Sequence, residues 1–370
     1  MKNISDNNVM AQDGMVTVGY VVGQILEERA MKQSELAEII GIQKPIINDL
    51  IKGKRSMTAE TAVLLEAALG VSADYLMSIQ TNIDLEKARK NPKIADRIDG
   101  AAAWSVLKDC VSVPMLKNKG LINVGDMRGN VRRTFDVFDV KNEDEIQGLY
   151  DKEQDALFRK SSKLTTDTKA LFTWKYLCFS QSKKQEINKP FRREAIDDLT
   201  HELNIIFREN RNTIERTREA VESCGIKLMY EEKAGQVPVD GMSFWKGNNP
   251  TIVYTLRLQT IDNFAFTIMH ELGHIKLHLK EGGEEMINVY GVEADEKEKE
   301  ADRFADDAFI APDEWASMML RLKAWNPYTA HVTIKKEADK IGVNPQILFG
   351  RYMHETGLYR LRRVFETEIK

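Results

Sequence analysis

Cysteine is scarce in this chain. Cys110, Cys178 and Cys224 are the only three in 370 residues, odd in number and far apart, with no C-x-x-C pair. That excludes a disulfide framework and a zinc site built on paired thiolates. Long apolar runs are missing as well. No stretch approaches the run of about 20 apolar residues that spans a bilayer. Met1 to Gly14 is polar and lacks the apolar core of a secretory signal. The expectation is a cytoplasmic protein with no membrane contact. A strong charge of either sign is lacking too. Lys and Arg number 53 against 57 Asp and Glu, a net charge of −4, so any nucleic-acid contact has to come from a local basic patch. No internal repeat of solenoid length is present.

What is there fits a two- or three-domain globular protein. At 42% hydrophobic and 30% charged residues, the chain has the composition of folded domains of roughly 100–200 residues each. The predicted fold class is mainly α with a small β-sheet (α+β). Residues 1–15 read as a flexible polar arm and 16–90 as five short helices punctuated by Gly41, Gly53 and Gly70. Residues 91–224 read as a helical middle region whose centre, Ala156 to Ser180, is rich in aromatics. Residues 225–370 change texture. Gly225 to Tyr230 reads as a strand, and Pro238 to Trp245 with Thr251 to Tyr254 as a hairpin. Helical periods follow at Asn263 to Leu279, Glu296 to Ala311, Thr333 to Ile341 and Pro345 to Thr356.

The stretch from Gln33 to Ile51 carries a helix-turn-helix pattern. Two helices crossing at roughly 90–120° need a small residue at their contact, and Ala37 supplies it. Gly41 suits a turn residue with positive φ. Leu36, Ile40, Ile47 and Leu50 fall on the shared core face, and Pro45 sits in the first turn of the second helix, where a missing N–H costs little. Gln43, Lys44 and Asn48 are left on the part of that helix that enters a major groove. Gln and Asn can pair with adenine, and Lys can reach guanine or phosphate. Lys52, Lys54 and Arg55 form a local basic patch for phosphates, with Gln33 able to assist.

The second pattern is His270-Glu271-Leu272-Gly273-His274. Residues four apart share a helix face, so His270 and His274 can grip one Zn²⁺, and Glu271 can act as general base toward water. A third ligand is needed. His278 lies on the same helix, about 12 Å along the axis from His270 at 1.5 Å per residue, and no glycine bends the chain toward the metal. Glu300 lies on a separate amphipathic helix whose apolar stripe is Ala301, Phe304, Ala305 and Ala308. It borders that stripe and is the expected ligand. Glu298 and Asp302 read as a solvated face. A His₂Glu set leaves a fourth position open, the catalytic form of a zinc site. The strand Thr251 to Tyr254 is expected at the sheet edge, where a substrate peptide can add as a further strand.

Two resemblances follow. Val18 to Arg89 is similar to the Xre/Cro-type domain of the HigA antitoxins, through Ile25-Leu26-Glu27-Glu28-Arg29, Ile47 to Arg55, and Leu69-Gly70-Val71-Ser72 leading to Asn82 to Arg89. That resemblance implies a homodimer on operator DNA that represses its own promoter. Gln43 stands where Ser or Thr is common, so the operator does not carry over. Gly225 to Tyr359 resembles the ImmA/IrrE metallopeptidases, through Val239 to Trp245, Phe266 to His278, Glu300-Ala301-Asp302-Arg303-Phe304-Ala305 with Pro312 after it, and Asn344 to Tyr352. That resemblance implies a zincin-like fold, zinc on His270, His274 and Glu300, catalysis by Glu271, and cleavage of one specific regulatory protein. The partner is then a protein substrate, repressor or cognate toxin; the alternative is a non-catalytic antitoxin or repressor whose zinc domain only senses a signal or binds a toxin.

Overall fold

Each short apolar period in the first hundred residues becomes a helix in the computed structural model, which describes residues 16–160, 167–233, 235, 238–281, 283, 285–289, 296–323, 329–359 and 365–370. The expected arm at 1–15 lies outside the described residues. Chain contacts divide the protein into two units, Met1–Asp99 and Gly100–Lys370. The division falls inside a helix, later than the expected break at 90. Residues 100–224 pack in the same unit as the C-terminal part instead of forming a region of their own. No helix among the described residues is long and apolar enough to cross a membrane.

The first unit is built from α1 (Val18–Glu28), α2 (Gln33–Ile40), α3 (Lys44–Ile51), α4 (Ala59–Leu69) and α5 (Ala73–Lys90). The starts of α1 and α4 are capped by hydroxyls: Thr17 accepts from the Tyr20 N–H and Thr58 from the Thr61 N–H. α2 ends at Gly41, whose φ of 68° is the left-handed conformation that glycine adopts without penalty. Leu36, Ala37, Ile40, Ile47 and Leu50 are buried in one cluster with Val22, Leu65 and Leu76. Burial of the predicted face is what holds the two short helices at their angle.

The chain crosses into the second unit through α6 (Pro92–Cys110). Then come α7 (Val113–Asn118), α8 (Met127–Phe138), α9 (Glu143–Lys160), α10 (Thr168–Lys184), α11 (Ile196–Glu209) and α12 (Thr213–Ser223). After these the chain forms β1 (Lys227–Tyr230), β2 (Val239–Trp245), β3 (Pro250–Tyr254), α13 (Ile261–Leu277) and β4 (Met286–Val289). It closes with α14 (Glu296–Phe309), α15 (Pro312–Lys323), α16 (Ala330–Ile341) and α17 (Pro345–Thr356). The four strands make one sheet in the order β1-β3-β2-β4. β1 and β3 are parallel, and β2 is antiparallel to both β3 and β4. The hairpin is as expected, but β3, carrying Thr251 to Tyr254, is interior. Its two neighbours use both of its edges, so it offers none to a peptide. The edges are β1 and β4.

Both faces of the sheet are covered, and strand alternation decides which residue meets which helix. Leu228, Ile252 and Tyr254 face a core shared with α11, α13 and α17. Met229, Val253, Val239, Met242 and Phe244 face α10, against Leu171, Trp174, Cys178 and Phe179. Val239 and Met242 share a face despite their odd spacing because the β2–β4 register shifts between Val239 and Gly241. Such a bulge adds one residue and reverses parity beyond it. Gly241 and Ser243 are thereby turned toward α13.

α10 is apolar on opposite sides. Phe172 and Leu177 pack into a second cluster with Leu107, Leu116 and Phe138 of the preceding helices. A helix buried all round belongs to an interior layer, and α10 joins the helical layer α6–α9 to the sheet. Polar contacts fix it there. Trp174 Nε1 donates to the Glu232 carbonyl at 2.7 Å. The buried Lys175 ammonium bridges Glu153 of α9 and Glu285 just before β4.

Candidate metal centre

α13 carries His270, Glu271 and His274 into the interior; none of the three exposes more than 1% of its surface. The Nε2 atoms of the two histidines face each other at 3.0 Å. The third group at this point is Glu298, not Glu300. Its Oε2 is 3.2 Å from His270 Nε2 and its Oε1 is 3.4 Å from His274 Nε2. Donors held at 2.0–2.1 Å from one tetrahedral ion sit about 3.3 Å apart. The histidine nitrogens at 3.0 Å, and one Glu298 oxygen near each of them at 3.2 and 3.4 Å, lie close to that spacing, so the donor set is of a size to hold a zinc-like cation. Among the described residues it is the group of three or more His, Cys, Asp or Glu donors gathered closely enough to hold a metal.

The correction from Glu300 to Glu298 has a helical cause. Successive residues turn by about 100°. The face of α14 against α13 is marked by Ala301, Ala305 and Phe309. Glu298 lies about 20° from Ala305 and 60° from Ala301, inside that face, whereas Glu300 is displaced by about 100–140°. α14 approaches closely because Gly273 has no side chain: a Cβ there would lie 3.2 Å from Ala301 Cα and 3.0 Å from Phe304 Cδ1. Glycine inside H-E-x-x-H thus brings the third carboxylate within reach.

The outer ring nitrogens are also held. Asp302 Oδ1 is 2.9 Å from His270 Nδ1. His274 Nδ1 is 3.0 Å from His278 Nδ1, and His278 Nε2 is 2.9 Å from Glu300 Oε2. Glu300 therefore sits behind the centre, with its side chain 50% exposed. Metal ligands of the histidine type are normally oriented in this way from their far side.

Glu271 is the remaining member. Neither carboxylate oxygen has a hydrogen-bond partner, and the residue is fully buried. It lies against β2, where a Cβ on Gly241 would come within 2.5 Å of its Oε1. The Ser243 hydroxyl approaches it without completing a hydrogen bond. A buried carboxylate without donors is costly.

In the first unit, α3 presents the predicted DNA-facing residues. Gln43 is its N-cap, in an extended conformation, with no capping bond from its side chain. Gln43 and Lys44 are exposed and Asn48 is half-buried on the first turns. Lys52, Lys54 and Arg55 are exposed in the turn after α3, where the Lys54 and Arg55 amides both donate to the Asp49 carbonyl. Gln33 is half-buried at the start of α2.

Comparison with known families matches two segments. Residues 22–76 fit the helix-turn-helix family model, and residues 221–319 fit that of the IrrE N-terminal-like domain, a peptidase family. The chain joins a helix-turn-helix domain to an IrrE N-terminal-like domain. No curated protein matches it. One solved structure, described as "Crystal structure of a hypothetical protein from E. Coli", is 24% identical over 23% of this chain and 88% of that one, at a TM-score of 0.22. The helix-turn-helix match contains α2, α3 and the basic turn. The IrrE-like match contains the whole sheet, α13 and α14, and so every residue of the candidate centre.

Burial and pairing shift the titrating groups of the candidate centre in opposite directions. Burial would strip the proton from His270, but hydrogen bonds to Asp302 and Glu298 outweigh it and raise its pKa to about 10. Burial would raise Glu298, but its bonds to His270 and His274 hold it down at about 2. His274 is lowered, chiefly by burial. Burial pushes Glu271 up to about 8, against the opposing charge of His270.

Reading along the sequence misses four contributors: Glu298, Asp302, and the glycines 241 and 273. The signal for the two acids was present. Projecting 298, 300 and 302 around α14 from Ala301 and Ala305 places Glu298 on the face, Asp302 at its border and Glu300 well away from it. Nothing in the sequence marks Gly241, whose importance depends on the bulge before it.

Proposed function

We propose that this protein is a cytoplasmic transcriptional regulator, an antitoxin-type autorepressor, whose IrrE-like domain binds zinc and hydrolyses a peptide bond in one specific protein partner. The observation that carries the reading is the convergence of His270, His274 and Glu298 at metal-ligand spacing beside a buried, unpartnered Glu271. A zinc ion held there supplies Lewis acidity toward a water molecule and a scissile carbonyl. Glu271 takes the proton of the attacking water on a carboxylate oxygen and passes it to the leaving amine nitrogen, so that water adds across the peptide bond. The strand that carries Gly241 against Glu271 is β2, and its outer neighbour is the edge strand β4. An extended peptide adds there, beside β4, rather than at β3.

The helix-turn-helix domain supports operator binding, with α3 in the major groove and the basic turn on phosphates. Similarity to the HigA antitoxins supports a homodimer, repression of its own promoter, and a cognate toxin or a repressor as the protein partner. The test is capture. Glu271→Gln keeps the metal ligands and removes the base, so as bait it retains an intact partner that the wild type releases as two fragments. Identical sets of captured proteins, none of them fragmented by the wild type, count against hydrolysis.

A further inference from the structure

We propose that His278 and Glu300 are positioning residues that fix the tautomer and orientation of the metal ligand His274; this rests on the zinc-binding reading above. The two inward ligands are steadied differently. His270 meets a carboxylate directly, through Asp302. His274 meets another imidazole, which in turn meets a carboxylate: His274 Nδ1 to His278 Nδ1 at 3.0 Å, then His278 Nε2 to Glu300 Oε2 at 2.9 Å.

The order of protons along this line follows from its last member. A carboxylate only accepts, so His278 Nε2 carries the hydrogen and donates it to Glu300. In the neutral imidazole, Nδ1 of His278 is then a lone pair. It can only accept, so His274 Nδ1 must be the donor. That leaves the lone pair of His274 on Nε2, the atom that faces His270 Nε2 and Glu298. The chain from Glu300 through His278 therefore selects the one neutral tautomer of His274 able to bind a metal at that point. It also polarises the imidazole toward the ligating nitrogen.

The backbone holds the line in register. His278 is the C-cap of α13, with its own N–H bonded to the His274 carbonyl at 2.9 Å. Its side chain is 6% exposed, so the imidazole has a fixed place. The same geometry removes His278 from the ligand set. It lies against the Nδ1 edge of His274, the side of the ring opposite the nitrogen that faces Glu298.

The experiment measures zinc dissociation constants of the full chain by chelator competition. Loss of a group behind a ligand typically weakens metal binding about 10–100-fold, and His278→Leu is expected in that range. His278→Gln, whose amide can accept from His274 and donate to Glu300, recovers most of the affinity. Glu300→Gln, at a half-exposed site where folding is not at risk, weakens binding in the same direction by less. Glu298→Ala costs more than any of these. With Co²⁺ in place of zinc, proton NMR supplies a second reading. The exchangeable, metal-shifted Nδ1–H of His274 is seen in the wild type and in His278→Gln, and is lost in His278→Leu, while that of His270 persists. Wild-type affinity in His278→Leu overturns the proposal. So does a loss as complete as that of Glu298→Ala, which would make His278 a ligand. A wild type that binds no zinc refutes the metal centre itself, and that failure is visible before any variant is made.

Discussion

Gly241 has no side chain, and the space so left is taken by the Glu271 carboxylate. A Cβ would stand 2.5 Å from Oε1 and 2.9 Å from the Thr267 methyl. Gly241→Ala is therefore expected to destabilise the protein by about 1–3 kcal/mol, the usual cost of overpacking. The tightest clash is with Glu271, so Gly241→Ala combined with Glu271→Ala should cost less than the sum of the two. Denaturant unfolding of the four forms checks this; strict additivity would mean that the contact is absent. Asp306 gives a pH dependence. Burial outweighs the attraction of Arg351, and neighbouring carboxylates add to it, so its pKa is raised from 3.8 to about 6. A raised folded pKa means that the stability it contributes is fully present below about 3.8 and is lost as the pH rises through about 6. Asp306→Asn should thus be more favourable relative to wild type at pH 7 than at pH 4.5, as read from unfolding midpoints. At this scale His270, Glu271 and His274 were legible because four-residue spacing on a helix is a local property. Glu298 was not read from the same text. Choosing among 298, 300 and 302 requires projecting α14 from the residues that meet α13, Ala301, Ala305 and Phe309, rather than reading which acid lies beside the apolar stripe in sequence.

The elements of the first unit follow the apolar period almost residue for residue, since each helix is short, amphipathic and closed by a cap or a glycine. The recognition helix α3 yields a prediction at this scale. Asn48→Ala should cost about 1–3 kcal/mol at the operator and relax sequence choice there, whereas Lys54→Ala should weaken all DNA alike and flatten the salt dependence. Titration of operator and unrelated duplex at several salt concentrations separates the two. Equal losses on both sequences for Asn48→Ala would remove it from base contact. In the second unit the hairpin was legible from its turn, expected at Gly247 to Pro250 with Pro250 in fact opening β3, but its place in the sheet was not. β1 pairs with β3 in parallel across a long connection, and such pairing leaves no mark in the intervening residues. The same holds for α10. Its aromatic richness was plain, yet only the sheet shows that Trp174 and Phe179 serve one layer while Phe172 and Leu177 serve another.

On the scale of the whole molecule, two domains stand on one chain, a helix-turn-helix domain at 22–76 and an IrrE-like domain at 221–319. The helices from 100 to 224 belong to the same compact unit as the latter. Among them α10 covers one face of the sheet and α11 packs on the other, so the compact unit is larger than the segment the family pattern marks. The account then stands on whether that unit breaks a peptide bond. Wild type, metal-stripped wild type and Glu271→Gln are incubated with the partner captured by Glu271→Gln, and the intact mass of the partner is followed. The account predicts two fragments whose masses sum to that of the partner plus one water. They form with metal-replete wild type, are absent without metal, and form about 10²–10⁴-fold more slowly with Glu271→Gln. A partner that stays whole with metal-replete wild type while bound to it, or that is cut equally fast by Glu271→Gln, contradicts the account.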